Sequence, residues 1–120
     1  MSARRPVVGA GVVVLKGDTV LLVRRRNAPR AGAWSIPGGR QELGETLRDA
    51  AQREVLEETG VHAELGEIID VYDVIARDGA GRIEHHYTLV DFAATFLSGE
   101  PRPGDDASEA AFFPLADALT

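Results

Sequence analysis

The chain has 120 residues, 44% of them hydrophobic and 27% charged, which suffices for one domain with a single core and not for two. A formal net charge of −6 disfavours broad electrostatic binding to nucleic acid, which needs clustered Lys and Arg. The absence of cysteine excludes disulfides, a thiol nucleophile and a Cys-based zinc site.

No window approaches 18 consecutive apolar residues, so no membrane span is expected. The basic start, Met1 to Pro6, runs into Val7–Leu15, which is rich in β-branched residues and reads as a core strand and not as a signal peptide. A cytoplasmic location is the expectation. Lys16–Thr19 reads as a turn and Val20–Val23 as the returning arm of a hairpin. Arg24-Arg25-Arg26 follows, then a loop from Asn27 to Gly32. Trp34–Ile36 reads as a short strand stopped by Pro37-Gly38-Gly39, and Arg40–Gly44 as a second loop. A helix is expected over Glu45–Thr59, with Gly60 as its stop and Leu47, Ala51 and Val55 as its buried stripe.

Beyond Gly60 the apolar period changes from 3.6 to 2. His62–Ala76 reads as one long strand, Asp78–Gly81 as a turn and Arg82–Phe96 as the partner strand. Ser98–Ser108 is a surface loop, Glu109–Phe113 a last short strand, and Pro114–Leu119 the start of a helix. This order implies an α+β domain, a mixed sheet packed against helices.

The chemistry is concentrated between Gly39 and Val61. On the expected helix Glu54, Glu57 and Glu58 lie three and four positions apart, so their carboxylates share one side. Like charges at that spacing each cost a few tenths of a kcal/mol unless something neutralises them. A divalent cation does so, and magnesium takes carboxylate oxygens together with waters and substrate phosphates. Arg53, four residues from Glu57, is placed to orient that carboxylate. A solvated acidic helix face is the plainer reading of the glutamates. It leaves Pro37-Gly38-Gly39 and Gly44 unexplained, since these suggest backbone drawn close to a ligand.

Gly39, Glu45, Arg53, Glu54, Val55, Glu57, Glu58, Gly60 and Val61 together resemble the Nudix box, the signature of Nudix hydrolases, at every defined position. The resemblance implies one Nudix domain over residues 1–120 with its box at 39–61, folded as an α/β/α sandwich with a mixed β-sheet. It also implies an Mg2+-dependent enzyme (Mn2+ being the other option) that cleaves a nucleoside diphosphate linked to another group. Glu54 and Glu58 match the principal metal ligands, Glu57 a further ligand, and Gly38 a position whose carbonyl often binds metal. Glu45 and Arg53 match a supporting salt bridge. The general base is expected at Glu54 or at a late-loop acid, Asp105, Asp106 or Glu109.

Arg24 and Arg26 are the candidate contacts for a substrate phosphate and Trp34 the candidate wall for a base. Solvent exposure and core packing are the competing readings. Tyr72, Tyr87 and Phe92 read as packing residues. Residues 84–92 and Gly104-Asp105-Asp106 resemble bacterial proteins labelled ADP-ribose pyrophosphatases. The proline that marks the better-defined ADP-ribose enzymes, about 15 residues beyond the box, is absent from Asp73–Arg77. ADP-ribose therefore leads narrowly over ordinary or oxidised nucleoside triphosphates, with a non-catalytic nucleotide sensor as the alternative of another class. A nucleotide-type small molecule is the expected partner. A membrane is not expected, and a homodimer is a further option.

Overall fold

The computed structural model describes residues 4–27, 31–104 and 106–118. Seven strands and two helices follow in the order β1 (Val7–Lys16), β2 (Thr19–Arg25), β3 (Trp34–Ser35), β4 (Gly38–Arg40), α1 (Leu47–Thr59), β5 (His62–Arg77), β6 (Ile83–Ser98), β7 (Ala107–Pro114) and α2 (Leu115–Ala118). The strands form one mixed sheet, as expected. Its main order is β3-β2-β1-β6-β5, with β4 added to β1 and β7 to β2. β1 and β6 run parallel from Val7↔Tyr87 to Leu15↔Thr95, while the other pairings are antiparallel.

β1 holds the sheet together by changing partner along its length. Its last residues turn into β2 through Leu15↔Val20, whereas Gly9, Ala10 and Gly11 pair with Arg40, Gly39 and Gly38. β4 was not anticipated, because Pro37-Gly38-Gly39 reads as a stop. The backbone there is extended and borrows its hydrogen bonds from β1, a non-local pairing to which local sequence pattern is blind.

The helix begins at Leu47, two residues later than its sequence pattern suggests. Thr46 is the N-cap, in extended conformation, and its hydroxyl accepts from the Asp49 amide at 3.1 Å. Gly60 ends it with φ at +73°, a left-handed conformation that costs glycine nothing. Ala51 and Val55 of the expected stripe are buried and Leu47 is partly buried against the core. That core joins them to Ala10, Val12 and Val14 of β1, Leu21 of β2, Val61 and Ala63 of β5, and Val90, Phe92 and Ala94 of β6. Arg48 pins the helix to β5 by donating to the Leu65 and Gly66 carbonyls at 3.1 and 2.9 Å.

Phe92 is the largest of these side chains to be fully buried. Phe92→Ala should lower unfolding free energy by about 3–5 kcal/mol, read from urea denaturation. A loss below about 1 kcal/mol would mean that the sheet and α1 do not share this core.

Candidate active site

The acidic residues of α1 face a cleft of about 780 Å3 between the helix and the β1–β4 end of the sheet. Glu54 and Glu58 line it together with Gly38, Gly39 and Arg40 of β4. Beside it, Glu54, Glu57 and Glu58 face Gly104 and Asp106 across a smaller recess of about 470 Å3.

Arg53 sets the positions of two of these carboxylates and of Glu45. Its Nε and Nη2 grip Glu45 at 3.0 and 2.7 Å, and its Nη1 donates to Glu54 at 2.6 Å and to Glu57 at 3.1 Å. Nη2 also donates to the Arg40 carbonyl at 3.0 Å, tying β4 to the helix. One planar donor fork therefore joins the loop before α1, strand β4 and the acidic face. The effect on Glu45 is direct: the bonds from Arg53 hold its carboxyl below the usual carboxylate range.

Glu54 and Glu58 respond the other way, because both are partly withdrawn from water. Burial raises Glu54 above the ordinary carboxylate value against the pull of Arg53. Burial pushes Glu58 up to about 7, with the charges of Glu54 and Asp106 adding to the shift. The Gly38 amide opposes it by donating to Glu58 Oε2 at 3.2 Å. A Cβ at position 39 would overlap the Glu54 carboxylate and push it from where Arg53 holds it.

The loop between β6 and β7 supplies the remaining acid. Its amides take up carbonyls that the end of α1 leaves unpaired: Arg102 donates to the Thr59 oxygen and Gly104 to the Glu58 oxygen, each at 2.8 Å. A Cβ on Gly104 would collide with the Glu57 carbonyl, so only glycine lets the loop approach this closely. Asp106 follows and lines both the cleft and the recess. Asp105 lies outside the described residues. Glu109, the third late acid, is on β7 and pairs with Arg24 at 3.0 Å.

The basic and aromatic candidates separate similarly. Arg24 is held by Glu109 and the Gly32 carbonyl, and Arg26 donates to the Ala107 carbonyl at 3.1 Å. Arg25 is the member of the run that lines the cleft. Trp34 rests edge-on against Phe113 with centroids 4.8 Å apart, while its neighbours Ser35 and Ile36 line the cleft. Tyr87 also lines it. Alternation along β6 carries that signal: Val90 and Phe92 are core, so the odd-numbered Tyr87 and Leu89 belong to the opposite face.

Among the described residues no three acidic groups converge closely enough to enclose a cation by themselves. Magnesium does not need three, because it keeps several waters and binds through one or two carboxylates plus phosphate oxygens. Glu54 and Glu58, partly withdrawn from water, with the solvated Glu57 beside them, are oxygen donors of the kind such a hard cation takes. The donor set therefore fits Mg2+ or Mn2+, which Glu54, Glu57 and Glu58 would hold.

The raised value of Glu58 has a consequence for the metal-free protein. A carboxyl at about 7 in the fold and near 4.5 in the unfolded chain favours the folded state while it is protonated. That contribution is complete below about 4.5 and is lost as pH rises through 7. In chelator, the melting temperature should fall between pH 5 and 8, and Glu58→Gln should flatten most of that decline. An unchanged slope in Glu58→Gln would assign the titration to other groups.

Comparison with known proteins agrees with this geometry. The NUDIX domain profile matches residues 5–120. An ADP-ribose pyrophosphatase of Methanocaldococcus jannaschii is 37% identical over 110 residues, covering 92% of this chain and 63% of that protein. A human 8-oxo-dGDP phosphatase is 42% identical over 60 residues, or 50% of this chain and 19% of the human one. The crystal structure of a MutT NUDIX hydrolase from Burkholderia pseudomallei superposes with a TM-score of 0.79 at 32% identity, covering 94% of this chain and 86% of that one. The chain thus spans less than two thirds of both curated relatives, although nearly all of its own length is matched in the first. The chain belongs to the NUDIX domain family.

Proposed function

We propose that this domain hydrolyses a phosphoanhydride bond in a nucleoside diphosphate linked to a second group, with ADP-ribose favoured among such substrates. The observation that carries this reading is the glutamate cluster of α1 opening onto a cleft with Arg25 on its wall. Acidic side chains alone would repel a diphosphate, and a divalent cation held by them reverses that repulsion. Bound there by Glu54, Glu57, Glu58 and the Gly38 carbonyl, Mg2+ or Mn2+ would polarise phosphoryl oxygens and offset charge on the leaving phosphate.

The chain's own residues supply the rest. Arg25 gives the cleft a permanent positive charge for a phosphate or carboxylate oxygen. Tyr87 offers an aromatic face for the base or ribose. Asp106 is the proton acceptor for the attacking water: it faces the recess beside the glutamates on a loop fixed to the end of the helix. Glu54 is less suited to that step, because Arg53 holds one of its oxygens. Arg53 and Glu45 act by positioning.

Similarity to the Methanocaldococcus protein over most of the chain favours ADP-ribose. Similarity to the human phosphatase over the segment it covers supports oxidised nucleotides as the second reading. The domain should be tested with ADP-ribose, sugar nucleotides, dinucleotides and (d)NTPs under Mg2+ and Mn2+, following phosphate and nucleoside monophosphate. Metal-dependent turnover should fall at least about 100-fold in Glu57→Gln and Glu58→Gln, and Asp106→Asn should lower kcat about 10²–10⁴-fold with KM little changed. Nucleotide binding without turnover of any substrate would identify a sensor and overturn the enzyme reading.

Gly104→Ala separates positioning from folding. Pushing the loop off the Glu57 carbonyl should reduce kcat at least about 10-fold through Asp106 while leaving the far-UV circular dichroism intact. Full activity in Gly104→Ala would show that Asp106 needs no such placement.

A further inference from the structure

We infer that the cleft continues past Tyr87 into a second, cationic pocket, and that this pocket takes a phosphomonoester carried on the ribose of the bound nucleotide. The substrate class narrows accordingly to nucleoside diphosphate derivatives with a further phosphate on the 2′ or 3′ oxygen of that ribose. The inference rests on the proposed reading for what occupies the cleft, a nucleotide, and not on whether a phosphoanhydride bond is cut there.

The second pocket measures about 580 Å3 and shares two walls, Val7 and Tyr87, with the cleft. Its other walls come from the segment leading into β1, with Arg4 and Arg5, and from the start of β6, residues 83–86. The parallel pairing that begins at Val7↔Tyr87 sets these two segments side by side. Tyr87 therefore stands at the divide. On one side of it lies the cleft with Glu54, Glu58 and Asp106, and none of those acids lines the pocket on the other side.

In a chain with a net charge of −6, two consecutive arginines on one pocket run against the trend. Arg5 is exposed and makes no hydrogen bond or ion pair among the described residues, so its whole donor fork is available to a ligand. Arg4 commits one donor: Nη2 bonds the Glu84 carbonyl at 2.6 Å, which fixes the guanidinium beside the start of β6 and leaves its other N–H groups. His85 adds a ring whose centroid is 6.1 Å from that of Tyr87, while His86 is engaged by Asp73 at 3.1 Å. Glu84 is the one acid among the lining residues and opposes an anion. Two guanidiniums against one carboxylate still leave the pocket positive, and their planar forks match phosphate oxygens.

The position of the pocket selects where that phosphate is attached. The diphosphate belongs at the glutamates, where the cation would hold it, and Tyr87 offers its face to the base or ribose. The next group beyond Tyr87 is then a substituent of that nucleoside. A neutral substituent gains nothing from the two arginines, whereas a phosphate gains charge-assisted hydrogen bonds from both.

Calorimetric titration in Mg2+ with AMP, adenosine 2′,5′-bisphosphate and adenosine 3′,5′-bisphosphate tests the pocket apart from catalysis, because none of the three has a phosphoanhydride bond to cleave. One bisphosphate should bind at least about 10-fold more tightly than AMP, and that preference should shrink between about 50 and about 500 mM salt. Arg5→Gln should remove most of the preference with AMP affinity and circular dichroism unchanged. Glu84→Gln should widen it, which a purely structural role for this segment would not produce. AMP binding with no preference for either bisphosphate would overturn the inference and leave the nucleotide reading standing. So would a preference that survives Arg4→Gln/Arg5→Gln. Failure of all three to bind would overturn the inference together with the nucleotide reading beneath it.

Discussion

The Arg53 guanidinium is the point on which the site depends, because three carboxylates and one backbone carbonyl are held by a single side chain. Glu54, Glu57 and Glu58 occupy the C-terminal half of α1, where the helix dipole disfavours negative charge and where no basic residue lies in the last turn. Their mutual repulsion adds to that cost. Arg53 offsets part of it by bonding Glu54 and Glu57 directly, and its grip on Glu45 fixes where the guanidinium sits. An arginine is needed: Lys has neither the planar fork nor the donors to reach four acceptors at once.

The neutralisation is deliberately incomplete in its distribution. Glu57 is largely solvated, Glu54 and Glu58 are half-withdrawn, and the ionised forms of the latter two are disfavoured by burial. Clustered acids at the wrong end of a helix, with their charge resisted by burial, lower stability in the absence of a counter-charge. Such local conflicts with good folding are expected where a site serves chemistry. The same reasoning applies to the loop from β6 to β7. It places another carboxylate, Asp106, near two that are already uncomfortable, and the approach is possible only because Gly104 has no side chain.

Much of this was legible in the sequence because it is local. The helix, its cap region and the shared face of Glu54, Glu57 and Glu58 follow from periodicity and from Gly60. The Arg53–Glu45 pairing followed from the resemblance alone. What was not legible is non-local. β4 exists because β1 offers it a partner. Arg25 lines the cleft two residues after Val23, with Arg24 and Arg26 on the alternate side; which parity of β2 faces the cleft is set by how the sheet packs against α1, a non-local fact. Arg24 and Arg26 consequently bond elsewhere on the protein while Arg25 lines the cleft. Asp106 separates from Glu109 for a related reason: one sits in the loop capped onto α1, the other is already inside β7 and faces Arg24.

The long hairpin of β5 and β6 connects the two ends of the molecule's chemistry. Tyr87, on the cleft wall, is paired on one side with Val7 of β1 and on the other with Val74 of β5. A two-stranded ribbon is marginally stable by itself and gains rigidity from a third strand. β1 serves as that strand only from Val7 onward, so the hairpin beyond Tyr87 lacks it among the described residues. A strand added to the outer edge of β5 would therefore also steady the strand that carries Tyr87. The apolar side chains on both faces of β5 and the aromatic wall of the cleft thus belong to one ribbon, which β1 steadies only from Val7 onward.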